Sequence, residues 1–363
     1  MSGRQVTLKL EPSLFGEREK RIAFSGKLTA TAFKYPSGVS GLLMENGAGS
    51  VTLLPFQGQQ VWDAVFFDRS LTMKSMFDQP LPTCDYLGTY GALFLHCGGT
   101  SMGNPGPTDT HPLHGELPNL PHTEVQLVFG EDHAGAYFDL TGTARTTRAF
   151  SHDFVSRPRV RIHEDSTTLE IVVEVENRAG KPLPFLYLGH INFRPVDGAR
   201  IIDTVRDDRT DAIIREPKLA PGEDEAVAAY HRSIAADPSS HRMLRGGVPV
   251  LPELVLTMKA ASGAGGWAHA LQKHADGSGD FVSWNVDELP YAVRWMTRGP
   301  DQDALGLVLP ATAAPDGLAA ASANEQIVWV APGARWRTSF RFGAVDPAAA
   351  SDLETGINSI RDR

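Results

Sequence analysis

The sequence predicts an all-β protein, a large antiparallel β-sandwich with a short C-terminal helix. Short runs rich in β-branched and aromatic residues recur along the chain, several of them alternating in polarity. Turn residues separate them at near-regular spacing, and 35 glycines and 25 prolines supply those turns. A helical pattern is seen only near the end. No internal repeat, low-complexity linker or shift in composition divides the chain, so residues 1–363 are expected to form one domain.

Residues 6–46 read as strands and turns. Residues 51–55 and 57–67 read as a hairpin about a glycine turn. Residues 71–77 fit either a strand or a short helix. After residue 122, runs at 124–129 and 136–142 alternate. Residues 159–163 and 168–177, joined by Glu164-Asp165-Ser166, give the clearest hairpin, and their period of two requires one buried face. Residues 185–193 form a more apolar strand broken by polar residues. The charged stretch 206–225 is expected to be an exposed loop. Further strands follow at 248–258, 266–273, 281–285, 292–297, 305–309, 326–330 and 336–342, the last after the turn Ala331-Pro332-Gly333. Asp346 followed by Pro347 marks the start of the closing helix, about 346–361.

Composition excludes several classes. A formal net charge of -9 does not suit a protein that binds nucleic acid through a basic face. No apolar run approaches the roughly 20 residues that span a bilayer. Cys84 and Cys97 are too few for a disulfide framework, and the N-terminal residues lack a leader pattern, so a cytoplasmic location is expected. The expected partner is a small molecule, and the chain reads equally as a monomer or a homodimer.

The candidate site begins with residues 95–122, LHCGGTSMGNPGPTDTHPLHGELPNLPH, which carry four of the twelve histidines. So many imidazoles beside a carboxylate suit a polar pocket on loops better than a core. His114 and Glu116 are two apart and would share a face on a strand, as an acid-base pair or as a plain hydrogen-bonded pair. His111, His114, Glu116 and His122 offer nitrogen and oxygen ligands of the kind that hold zinc, manganese or iron, although their spacing matches no fixed metal signature. His190, Asn192 and Arg194 alternate and should project together; imidazole, amide and guanidinium suit a polyhydroxylated or anionic ligand. His231 and Trp295 are further candidates for substrate contact, Trp295 by stacking on a sugar ring. The plainer readings are a structural His190, a solvated Arg194 and a core Trp295. No nucleophile elbow is present, and Cys97 reads as a small buried residue.

Several of these patterns resemble the galactose mutarotase-like (aldose 1-epimerase) superfamily. They are Leu113-His114-Gly115-Glu116, then Val175-Glu176-Asn177 with Gly189-His190-Ile191-Asn192-Phe193, then Ala331-Pro332-Gly333 before the closing strand. Cys97-Gly98-Gly99 with Gly103 and the later motifs are similar to a branch of that superfamily of unknown function. The resemblance implies a β-supersandwich, a carbohydrate in its concave face, and no required cofactor. It also implies a ring-opening reaction in which His190 is the general acid and His114 the second histidine. One departure stands out. Leu309, in Gly306-Leu307-Val308-Leu309-Pro310, occupies the position of the family's basic glutamate, and an aliphatic side chain takes no proton. Glu116 is then the expected base, and Glu116→Gln the expected loss of turnover. Two alternatives stay open at this point: a metal-dependent isomerase or lyase acting on a keto sugar, and a sugar-binding protein without turnover.

Overall fold

The alternation of residues 168–177 is matched by alternate burial along strand Thr168–Asn177, which pairs antiparallel with His152–His163. The computed structural model of the chain describes residues 5–206, 212–215 and 225–363. Among them two large antiparallel sheets are formed. The first runs, in spatial order, Val6–Lys9, Thr123–Asp132, Gly135–Arg148, His152–His163, Thr168–Asn177, Arg335–Val345, Gly279–Asn285, Trp267–Lys273 and Arg200–Asp203. The second runs Ala212–Ile214, Val250–Met258, Tyr291–Arg298, Asp303–Ala311, Leu183–Ile191, Phe94–Gly99, Val61–Phe66, Gly49–Leu53, Ser40–Glu45, Leu28–Lys34 and Lys20–Ser25. The all-β sandwich expected from the sequence is therefore the observed architecture.

The sheets meet through aromatic side chains. Phe94 of the second sheet lies 5.7 Å from Phe340 and 5.5 Å from Phe342 of the first, ring centroid to ring centroid. Gly189 sits where this layer is tightest: a Cβ there would come 2.7 Å from Phe340 Cζ. Because side chains alternate along a strand, Gly189 facing the core puts Leu188 and His190 on the outer face of the second sheet. The fold thus decides which side of the sheet carries the histidine.

The hairpin expected at 51–67 is present as Gly49–Leu53 and Val61–Phe66. Residues 71–77 are extended, with bridges Thr72 to Phe193 and Lys74 to Asp303. Helix Pro347–Arg361 starts as expected, with the Asp346 side chain accepting from the Ala349 amide at 2.8 Å. Two further helices correct the reading that only the tail is helical: Glu225–Ala236 and Leu318–Ala323. Both are rich in alanine, whose helix propensity needs no apolar stripe to act. Of the expected loop at 206–225, residues 207–211 and 216–224 lie outside the described residues, and Ala212–Ile214 is a strand paired with residues 256–258. Among the described residues no helix is long and apolar enough to cross a membrane.

Candidate active site

Four adjacent strands of the second sheet supply the floor of a cavity of about 370 Å³. In spatial order they contribute Glu253 and Val255, then Val293, Trp295 and Thr297, then Leu309, then Leu188 and His190. Loops contribute the walls: Met76, Phe77, Tyr86, Leu87 and Tyr90 on one side, Asn104, Leu113 and His114 on another, with Arg215, Gln302 and Pro315 closing the ring.

His190 is held in one orientation and one tautomer. The Asn192 amide nitrogen donates to the Ala92 carbonyl at 3.0 Å, which turns its oxygen toward His190 Nδ1 at 2.8 Å. A carbonyl oxygen only accepts, so Nδ1 carries the proton of the neutral ring. Nε2 is then an unprotonated acceptor, 3.5 Å from the hydroxyl of cavity-lining Tyr90. Burial pushes the His190 pKa down to about 4, with the Asn192 hydrogen bond opposing in part. At neutral pH the ring is uncharged. The resemblance expects a proton donor here; in the resting state the cavity-side nitrogen is an acceptor.

His114 reaches the cavity from the loop. Its ring centroid is 5.4 Å from that of His190 and 4.8 Å from that of Tyr86. Burial, then the closeness of the His190 imidazole, which would repel a second positive charge, hold it well below the usual histidine pKa. The loop turns sharply to place it: His114 has φ 59° and Gly115 φ 76°. A Cβ on Gly115 would come 2.3 Å from the Ser101 carbonyl oxygen, so only glycine fits. Two successive left-handed residues also undo the alternation on which the pairing of His114 with Glu116 rested.

Glu116 consequently lies outside the cavity. Its Oε2 accepts from the Thr100 amide at 2.9 Å and its Oε1 from the Thr100 hydroxyl, so the carboxylate ties two loop segments together. The expected four-residue metal set is not assembled either. His111 bonds Pro112 O through Nδ1 at 2.8 Å and takes the Leu318 amide on Nε2 at 3.3 Å. His122 donates to Leu120 O at 2.9 Å. Among the described residues no three His, Cys, Asp or Glu side chains converge as metal ligands. The spacing in the sequence put these residues near one another along the chain, and the turns of the loop aim them apart.

The remaining candidates divide. Asn192 is fully buried and acts on His190. Trp295 lines the cavity, with its ring centroid 5.4 Å from that of His190. Arg194, instead of projecting beside His190, borders a separate depression with Asp63 and Lys74, its Nε donating to Thr72 O at 3.3 Å. The strand ends at Ile191, and the alternation ends with it. His231 is buried on helix Glu225–Ala236, away from the residues that bound the cavity.

Sequence reasoning missed Glu253. It is the one carboxylate among the described residues lining the cavity. Its Oε2 accepts from Trp295 Nε1 at 2.6 Å, and Oε1 is 3.7 Å from Arg215, whose other nitrogen meets Asp316 at 2.6 Å. A register shift between Val250 and Leu254 in the pairing with the next strand sits at this residue. Such irregularities re-aim side chains. Leu251-Pro252-Glu253-Leu254 carries a proline within a strand pattern, which is the mark that such an irregularity leaves in a sequence.

Replacing Asn192 by alanine is expected to free the imidazole and lower any turnover that depends on His190 by roughly ten- to a hundred-fold, the range seen when a metal-ligating histidine loses its orienting partner. Nitrogen shifts of labelled His190 check the cause: protonated Nδ1 in the parent, mixed tautomers in the variant. An unchanged tautomer would refute the assignment.

Burial also lowers His96 to about 3 and His122 to about 4. With His114 and His190, four histidines are neutral in the fold at pH values where the unfolded chain, titrating near 6.5, is protonated. Their folded values are depressed, so the stability they confer is full above about pH 6.5 and is lost as pH falls toward 4. Each adds a slope of up to about 1.4 kcal/mol per pH unit in that window. Urea midpoints are therefore expected to fall steeply between pH 6.5 and 4.5; a flat profile would contradict the neutral assignments.

Sheet order and the inter-sheet core define the class, an antiparallel β-sandwich with the galactose mutarotase-like fold. The structure is similar to that of a protein from Klebsiella pneumoniae provisionally named an aldose 1-epimerase, with a TM-score of 0.82 and 15% identity over 99% of this chain and 96% of that one. It is similar to a galactose mutarotase-like protein from Clostridium acetobutylicum, with a TM-score of 0.61 and 13% identity over 88% and 99% of the two chains. It is also similar to the Slr1438 protein of Synechocystis, at 0.57 and 18% over 82% and 92%. At these identities the likeness carries the fold. A search of curated protein sequences finds no match. The family described as a domain of unknown function, DUF4432, matches residues 36–344, and the chain belongs to that family.

Proposed function

We propose that the protein is a carbohydrate isomerase of the aldose 1-epimerase type, acting at or next to the anomeric carbon of a monosaccharide by proton transfer. One observation carries this reading: two proton-exchanging side chains, His190 and Glu253, stand on different strands of one cavity floor with Trp295 touching both. Ring opening needs a group that takes the proton of the anomeric hydroxyl and a group that gives one to the ring oxygen as the carbon–oxygen bond breaks. Ring closure on the other face of the aldehyde reverses both transfers. The unprotonated Nε2 of His190 takes the first proton. Glu253, entering as the carboxylic acid, gives the second to the ring oxygen, directly or through water, and takes it back on ring closure. Trp295 offers a flat apolar face to the sugar ring, and the neighbouring His114 donates or accepts at a hydroxyl.

Support from similar structures comes from names alone: one is provisionally named an aldose 1-epimerase and another galactose mutarotase-like. Polarimetry of freshly dissolved α-aldoses tests the reading. Optical rotation is expected to relax faster with enzyme than in buffer for at least one sugar. Binding of a sugar with no acceleration for any member of a broad panel would leave only a binding role.

A further inference from the structure

The floor between the two proton-exchanging residues is apolar. Passing from the strand of Glu253 to the strand of His190, the chain presents Val255, Val293, Leu309 and Leu188. Leu309 occupies the strand between those of Trp295 and His190, under the place where a bound ring would lie. One side of the rim is apolar as well, while Asn104, Arg215 and Gln302 line the others. Met76 and Leu87 line the cavity yet are 64% and 60% exposed. Large side chains with that much apolar surface at the mouth of a site gain from covering by a ligand.

The polar lining beside this floor is in part already engaged within the protein. Glu253 accepts from Trp295, Arg215 is tied to Asp316 and the Pro315 carbonyl, and the Thr297 hydroxyl donates to Pro252 O at 3.1 Å. A fully hydroxylated aldohexose has five hydroxyl groups and a ring oxygen to satisfy. Hydroxyls pressed against leucine and valine on the floor, or against methionine and leucine at the rim, would lose water without gaining a partner. A carbon bearing only hydrogens, or a methyl group, meets those side chains without loss.

We infer that the substrate is a deoxy sugar, with its deoxygenated carbon or methyl group seated against Leu309 and its neighbours. This rests on the proposed isomerase reading and adds the substrate class. It also gives Leu309 a positive role: the position sets selectivity, while proton exchange is carried by Glu253 two strands away.

The test is anomer exchange by magnetisation-transfer NMR on matched pairs: 2-deoxyglucose with glucose, fucose with galactose of the same series, and rhamnose with mannose of the same series. In at least one pair the deoxy member is expected to have the higher kcat/KM by about ten-fold or more, the scale on which an apolar pocket discriminates. Leu309→Ser should shrink that ratio several-fold, and Leu309→Met, which keeps the floor apolar, should preserve it. Exchange with the hydroxylated member equal or favoured in every pair would overturn the inference and leave the isomerase reading standing. Exchange of no sugar in any pair would overturn both.

Discussion

Glu253→Gln is expected to lower kcat by about 10²–10⁴, with the fold and sugar binding retained. The amide is close to isosteric, and its oxygen still accepts from Trp295 Nε1, the 2.6 Å bond that fixes this wall of the cavity. What the variant loses is the capacity to exchange a proton. Steady-state anomer exchange, with melting and sugar titration on the same sample, checks the prediction. Glu116→Gln provides the contrast. Its carboxylate braces Thr100 and does not line the cavity, so this variant should keep more than a tenth of parent kcat while losing some stability. If Glu116→Gln were inactive and Glu253→Gln active, the assignment of the carboxyl group that serves the ring oxygen would be reversed.

The second large effect is expected at His190. His190→Gln should also reduce kcat by about 10²–10⁴, because glutamine offers no nitrogen lone pair where Nε2 now lies. The substitution should in addition flatten the acid side of the stability profile. It removes one group that is neutral in the fold down to about pH 4 and protonated in the unfolded chain below about 6.5. A merely structural histidine would show the second effect without the first. In the parent protein, kcat/KM should fall as the pH drops through about 4, where Nε2 takes a proton and ceases to accept. A rise in kcat/KM that continues below pH 4 would instead mark His190 as the donor.

The fold was legible because strand alternation and turn chemistry are local. The period of two at 168–177, the glycine and proline turns and the Asp346-Pro347 helix start all describe what neighbouring residues do to one another. His190 was legible as a residue of the site, whereas Asn192, expected to contact substrate beside it, is buried and instead meets His190 Nδ1 at 2.8 Å. The histidine-rich loop was legible as a cavity wall and not in its details. Left-handed backbone at His114 and Gly115 sends Glu116 out of the site, and single-residue reversals of this kind leave little trace beyond a glycine. Glu253 was illegible because its role depends on strand order. It lies 63 residues from His190 in sequence, and the two share a cavity only because intervening strands bring them to one floor. Leu309 was noticed as a missing carboxylate, yet its meaning as part of an apolar floor needed Val255, Val293 and Leu188 beside it.

The central claim is that His190 and Glu253 act as a pair on one sugar. Residues that act as a unit are strongly non-additive: once one is lost, removing the other costs little more. Anomer exchange should therefore be measured for the parent, for each single variant and for the His190→Gln, Glu253→Gln double variant on the sugar that the parent turns over fastest. The account predicts that the double variant is slower than the slower single variant by less than about ten-fold. A double variant whose loss equals the product of the two single losses would contradict it.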